Sequence, residues 1–217
     1  MCKKKSPNEF TGEDVINTGF NPQSENAITW KGYEDQIIGE QCEKHVLQVF
    51  NLDLDKINVT YDAKTPDWID CDGKYIIEVF AGRSEGKLDE EMTEKMGVPY
   101  KVDNNPKREL RKKIRGSLQH AKKKNLDYVI KECQLSEKPT HIAFYSIQIE
   151  NRYWIDDWNV VTNLVKNYDL DEYGVDCLVV YAAPSMAFSS KTMVFYKKGK
   201  TIDPKIFKYA VEMIELP

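Results

Sequence analysis

Cysteine is scarce and scattered. Its five residues (Cys2, Cys42, Cys71, Cys133, Cys177) are odd in number and form no Cys-x-x-Cys pair. That pattern excludes a zinc ribbon and a disulfide scaffold, and a reducing cytoplasm is the expected compartment. Long apolar runs are also missing. No stretch approaches the ~20 residues of a membrane span. Behind Lys3-Lys4-Lys5 the chain continues Ser-Pro-Asn-Glu, with no apolar segment after the charges, so no secretory signal is expected. There is no internal repeat and no low-complexity tract, which removes solenoids and fibrous classes. What remains is an ordinary globular composition, 41% hydrophobic and 30% charged over 217 residues. That length allows a substantial core.

The net charge of −4 conceals an asymmetry. Between Pro106 and Lys124 stand nine Lys or Arg and one acid, Glu109, a local charge of +8. The remainder carries −12, with 22 basic residues against 34 acidic ones. A basic segment on an otherwise acidic chain reads as a polyanion footprint, because a merely solvated helix face mixes its signs more evenly.

Residues 1–30 are polar, carry Pro7, Gly12, Gly19 and Pro22, and read as a loosely ordered arm. Residues 31–217 read as one α/β domain, with a core over about 31–150 and a β/α extension over about 151–217. Ile38, Cys42, Val46 and Val49 or Phe50 recur at helical spacing from Lys31 onward. Glu34 lies one turn ahead on the same stripe. An acid there also suits the helix dipole, so its position admits two readings. His45 falls off the stripe with no ligand-spaced partner and reads as a satisfied helix histidine. Lys56–Tyr61 alternates as a strand. Gly82–Asn105 reads mainly as an inserted loop, and Pro106–Lys131 as one long helix with Leu110, Ile114, Leu118 and Ala121 on its apolar stripe. Strands are predicted over His141–Ile149, Val175–Ala183 and Thr192–Tyr196. Helices are predicted over Trp154–Tyr168 and, closing the chain, Asp203–Leu216.

The stretch that organises the rest is Thr65–Ala81, read as a β-hairpin. Pro66 can open a strand but not sit inside one. Asp72-Gly73 is a turn dipeptide suited to positive φ. Tyr75–Ala81 is an apolar run broken only by Glu78. Such a run is usually buried on both faces, where a carboxylate is costly unless protonated, paired or bound to metal. Across the hairpin Asp67 is near enough in register for both acids to converge on a hard divalent ion. The competing reading puts Glu78 on the solvated face of an edge strand and Asp67 in a turn.

Pro66-Asp67, ten intervening residues, then Glu78-Val79-Phe80 resembles the active-site signature of the PD-(D/E)XK nuclease superfamily. The element order helix, three strands, helix, strand resembles that family's core as well. The resemblance implies a central mixed β-sheet flanked by helices, an αβββαβ restriction-endonuclease-like core. It implies a Mg²⁺-dependent endonuclease, with Mn²⁺ as a substitute, that hydrolyses phosphodiester bonds of nucleic acid, DNA favoured over RNA, in some members as a homodimer. Asp67 and Glu78 would be metal ligands and catalytic acids, with Glu34 as the further acid many members place in the first helix. One position departs from the pattern. The family usually has Lys two residues after the Glu, where this chain has Phe80. Some relatives move that cation to the following helix, and Leu118-Gln-His-Ala-Lys-Lys-Lys124 is similar to such a segment. Lys122 or Lys123 is the expected replacement, with Gln119 able to orient water. Arg111, Arg115 and Lys122 are the expected phosphate contacts. The alternative is an inactive relative that keeps the fold as a nucleic-acid- or protein-binding module.

Neutralising Arg111, Arg115 and Lys122 together is expected to weaken nucleic-acid binding and flatten its salt dependence. Each lost contact on duplex DNA should reduce the log–log slope by about 0.9 in a binding series over salt. An unchanged slope would reduce the +8 segment to a solvated helix face.

Overall fold

The computed structural model describes residues 39, 42–57, 65–80, 87–88, 101–102, 106–147, 158–182 and 189–217. The polar arm, Glu34, most of the start of the first helix, residues 58–64 and most of the 82–105 insertion lie outside them. The described chain is α/β. Helix α1 (42–49) is followed by β1 (Leu54–Lys56), β2 (Trp68–Asp70) and β3 (Tyr75–Phe80). A two-stranded ribbon comes next, β4 (Lys87–Leu88) against β5 (Lys101–Val102). Then come α2 (Pro106–Lys122), α3 (Leu126–Glu132), β6 (Thr140–Ile147), α4 (Asn159–Val165), β7 (Cys177–Ala182), β8 (Lys191–Tyr196) and β9 (Glu212–Glu215). Seven strands form one mixed sheet in the order β1-β2-β3-β6-β7-β8-β9. Strands β3, β6 and β7 run parallel, as do β8 and β9, and the other neighbours are antiparallel. Among the described residues no helix is long and apolar enough to cross a membrane.

Period-two alternation sorts the strand residues onto two buried faces. Ile77 and Val79 of β3, with Ile142 and Phe144 of β6, pack with Cys42, Val46 and Val49 of α1. On the other face Ala143 and Tyr145 of β6, with Leu178 and Val180 of β7, pack under Leu110, Ile114, Leu118 and Ala121 of α2 and under α4. The narrow apolar stripe predicted for α2 is thus its core-facing stripe. The hairpin is also present. Gly73 takes φ +70° in its turn, a conformation glycine adopts without steric cost. The Asp70 carboxylate accepts from the Tyr75 N–H at 2.6 Å, closing the turn.

Three expectations are corrected. The single helix over Pro106–Lys131 is two helices, broken at 123–125. The first ends at Lys122, and Asn125 caps the second, its side-chain oxygen accepting from Tyr128 N at 3.0 Å. The closing helix over Asp203–Leu216 is absent. One 3₁₀ turn, Pro204–Ile206, is capped by Asp203, and the chain then runs extended into β9. The i, i+3, i+4 spacing of Ile206, Tyr209, Ala210, Met213 and Ile214 misled because β8 offers a parallel partner strand. Along that strand Met213 packs on one core and Ile214 on the other, while Tyr209 is solvent-exposed. The extension accordingly closes on a strand rather than a helix. Finally, the first strand begins at Leu54, two residues before its predicted start.

Asn125→Ala should cost about 1 kcal/mol by removing the cap of α3. Urea unfolding should show this as a lowered midpoint with an unchanged slope.

Candidate active site

The local sequence dictates the geometry around Glu78. β3 is an interior strand held between β2 and β6, so its alternating side chains enter packed layers on both sides. Glu78 enters the layer under α2 and is 1% exposed, which excludes the edge-strand reading. The β2–β3 register pairs Trp68 with Ile77, and its continuation by one residue sets Asp67 opposite Glu78. Directly opposed side chains share a face. Asp67 is likewise buried, and its Oδ2 accepts from the Val79 N–H at 2.8 Å. A side chain therefore replaces a backbone acceptor where the hairpin ladder stops, and this locks the two acids together.

Two basic side chains converge on one oxygen of Glu78. Lys124 Nζ lies 2.9 Å and His120 Nδ1 2.7 Å from Oε1. Both contacts are at ion-pair distance on Oε1, and the other carboxylate oxygen, Oε2, has no hydrogen-bond donor. Lys124 also donates to the Thr65 carbonyl at 3.1 Å, tying the end of α2 to the segment that leads into β2. Its side chain is 2% exposed, against 42% for His120. Burial pushes the Glu78 carboxyl above its ordinary pKa. The Asp67 charge adds to the rise, while His120 and Lys124 oppose it.

Phe80 packs beside this cluster, its ring centroid 5.9 Å from that of His120 and 6.1 Å from that of Tyr145. A Cβ at position 116 would stand 2.8 Å from Phe80 Cζ, so Gly116 lets α2 lie over the phenyl ring.

The predicted residues are thus partly assembled. Asp67 and Glu78 come together. Lys122 and Lys123 do not join them. Both are exposed, and Lys122 Nζ stands instead 5.8 Å from the Tyr173 ring centroid. Lys124, two residues beyond the helix end, is the lysine that reaches the acids, in line with its helical spacing from Lys113, Ser117 and His120. Gln119, Arg111 and Arg115 are exposed on α2. Glu34 lies outside the described residues. His45 is satisfied as expected, its Nδ1 2.7 Å from Ser146 Oγ. Sequence reasoning missed Lys124 and His120, although both sit in the quoted segment. The spacing Lys113, Ser117, His120, Lys124 repeats every three to four residues beside the apolar stripe, and was the available signal. Among the described residues no group of three or more His, Cys, Asp or Glu is arranged to hold a metal ion.

Compared with protein-family models, with curated proteins and with solved structures, the chain matches none.

Lys124→Met isolates the cation that faces Glu78. Because the folded pKa of Glu78 is raised, the stability linked to its protonation is full below the ordinary glutamate value and is lost as pH rises through the raised one. Removing Lys124 raises that pKa further. The variant should therefore lose on the order of 3 kcal/mol at pH 8 in metal-free buffer, as expected for a broken buried pair. It should lose much less at pH 4, where the carboxyl is protonated. Urea unfolding at the two pH values checks this, and equal losses would remove Lys124 from the ionisation of Glu78.

Proposed function

We propose that the protein is a metal-dependent nuclease that hydrolyses phosphodiester bonds, built on a restriction-endonuclease-like core of α1, β1–β3, α2 and β6, with DNA favoured over RNA. The observation that carries this reading is the buried pair Asp67 and Glu78 with Lys124 on the same carboxylate. The pair also fits the ion that the resemblance implies. Glu78 Oε2 is a buried hard oxygen with no donor, and Mg²⁺ is commonly bound by one or two carboxylates, with water and phosphate completing its shell. Asp67 and Glu78 would hold it, and it would supply Lewis-acid polarisation of the phosphate.

The chain's own residues account for the rest. Lys124 stands in for the lysine missing at Phe80, orients the nucleophile and neutralises charge that develops on the phosphate. Burial keeps it fixed, so it needs no reorganisation during the reaction. Arg111, Arg115 and Lys122 supply phosphate contacts, which position a strand without reading its sequence. A second copy would serve a second strand.

One observation favours an inactive binding module instead. The Glu78 side chain is 0% exposed, beneath Lys124 and His120. Cleavage panels of single- and double-stranded DNA and RNA with Mg²⁺ or Mn²⁺ separate the readings. The nuclease should cut at least one substrate, and Lys124→Met should slow it about 10²–10³-fold, as loss of a charge-stabilising donor does. Asp67→Ala and Glu78→Ala should each abolish Mn²⁺ binding in calorimetry. A wild type that binds nucleic acid and cuts none of it, while Phe80→Lys gains activity, establishes the binding module.

A further inference from the structure

The two parts of the proposed machinery stand on opposite flanks of α2. Toward β3 lie Gly116 and His120 against Phe80, and beyond the helix end Lys124 on Glu78. The other flank carries the basic stripe. Tyr168 Oη donates to the Arg111 carbonyl at 3.3 Å, the charges of Arg111 and Arg115 oppose the upward pKa shift of the Tyr168 phenol, and Lys122 lies over Tyr173. The body of the helix separates these flanks. One route from the stripe to the acids runs around the C-terminal end of α2.

At the C-terminal end of α2 there is a cavity of about 240 Å³. Lys122 of the basic flank and Lys124 of the acid flank both line it, with Lys138, Tyr173, His141 and one acid, Asp127. Sites for drug-sized ligands occupy roughly 300–1,000 Å³, so this smaller space suits one phosphate with its sugar. His141 supplies a second kind of group. It is 1% exposed, and its Nδ1 lies 3.0 Å from the Gly174 carbonyl oxygen, so that nitrogen carries the proton and donates. Its Nε2 has no partner. Burial holds the ring's pKa below the ordinary histidine value, and Lys138 and Lys124 press the same way, although the Gly174 bond and the Asp176 charge oppose them. Nε2 of the neutral ring is an acceptor, to be met by a hydroxyl or amino group. Lys122 and Lys138 at the wall, with one bare acceptor that a base amino group can meet, match a nucleotide phosphate better than a plain polyanion.

We propose that this cavity is a phosphate-ester subsite that leads a strand around the C-terminal end of α2, from the Arg111–Arg115–Lys122 stripe to Asp67 and Glu78. It rests on the nucleic-acid part of the nuclease reading, and it adds Lys138 and His141 to the binding path.

The test uses the full chain in EDTA, where no cleavage competes. Inorganic phosphate, adenosine 5′-monophosphate and a short labelled oligonucleotide are titrated separately. Lys138→Glu, an exposed position, should weaken the oligonucleotide about tenfold or more, the scale of a charge-assisted contact. Lys166→Glu, an equal charge change at an exposed position outside the cavity, should change it little. His141→Asn keeps a donor for the Gly174 carbonyl and removes Nε2, so it should weaken the mononucleotide more than inorganic phosphate. Saturable mononucleotide binding lost in Lys138→Glu, with oligonucleotide binding unmoved, would mean a free-nucleotide site and overturn the strand path. Equal losses in Lys138→Glu and Lys166→Glu would reduce the cavity to bulk electrostatics and overturn the subsite. Cleavage and Mn²⁺ affinity are read apart from these titrations. A protein that cuts without a Lys138 effect loses only the subsite, and one that shows the effect without cutting loses only the catalysis.

Discussion

The carboxyl group of Glu78 inside a packed sheet is the constraint on which the rest of the site depends. Burial of an unpaired carboxylate costs several kcal/mol after relaxation, so the surroundings must answer it. Lys124 answers first, since its ammonium reaches both Glu78 and the Thr65 carbonyl and so staples α2 to the two strands of the hairpin. His120 adds a second contact from the partly exposed side. Both contacts fall on one oxygen, and Oε2 of Glu78 is left with acceptor capacity. A site tuned only for stability would have a hydrophobic residue here.

That constraint explains the shape of the segment after Pro106. The helix ends at Lys122, Asn125 caps a new one, and Lys124 stands in the bend between them. Phe80 and Gly116 show the same accommodation from the other side. With phenylalanine at position 80 of the strand, the helix must leave room for a ring. Glycine at 116 supplies that room.

The separation of the basic stripe from the acids was not visible in the linear chain. Arg111, Arg115, Lys122 and Lys124 read as one charge run of +8. Helical rotation divides it, three residues falling on the Tyr168–Tyr173 flank while Lys124 goes to Glu78. The cavity at the helix end joins what the rotation separates.

The hairpin, its turn at Asp72-Gly73 and the burial of Glu78 were legible in the sequence, because each follows from rules that act within a few residues: positive φ at glycine, exclusion of proline from a strand interior, alternation along an apolar run. The α/β class followed from the succession of such segments. Three-dimensional packing decided the rest. Glu212–Glu215 is a strand because β8 presents a partner edge, although its apolar spacing suits a helix. The spacing of Lys113, Ser117, His120 and Lys124 names the helix flank, but that Lys124 rather than Lys122 or Lys123 meets Glu78 depends on which layer lies beneath that flank. That is a distance between segments far apart in the chain, and a pattern read along the chain does not contain it.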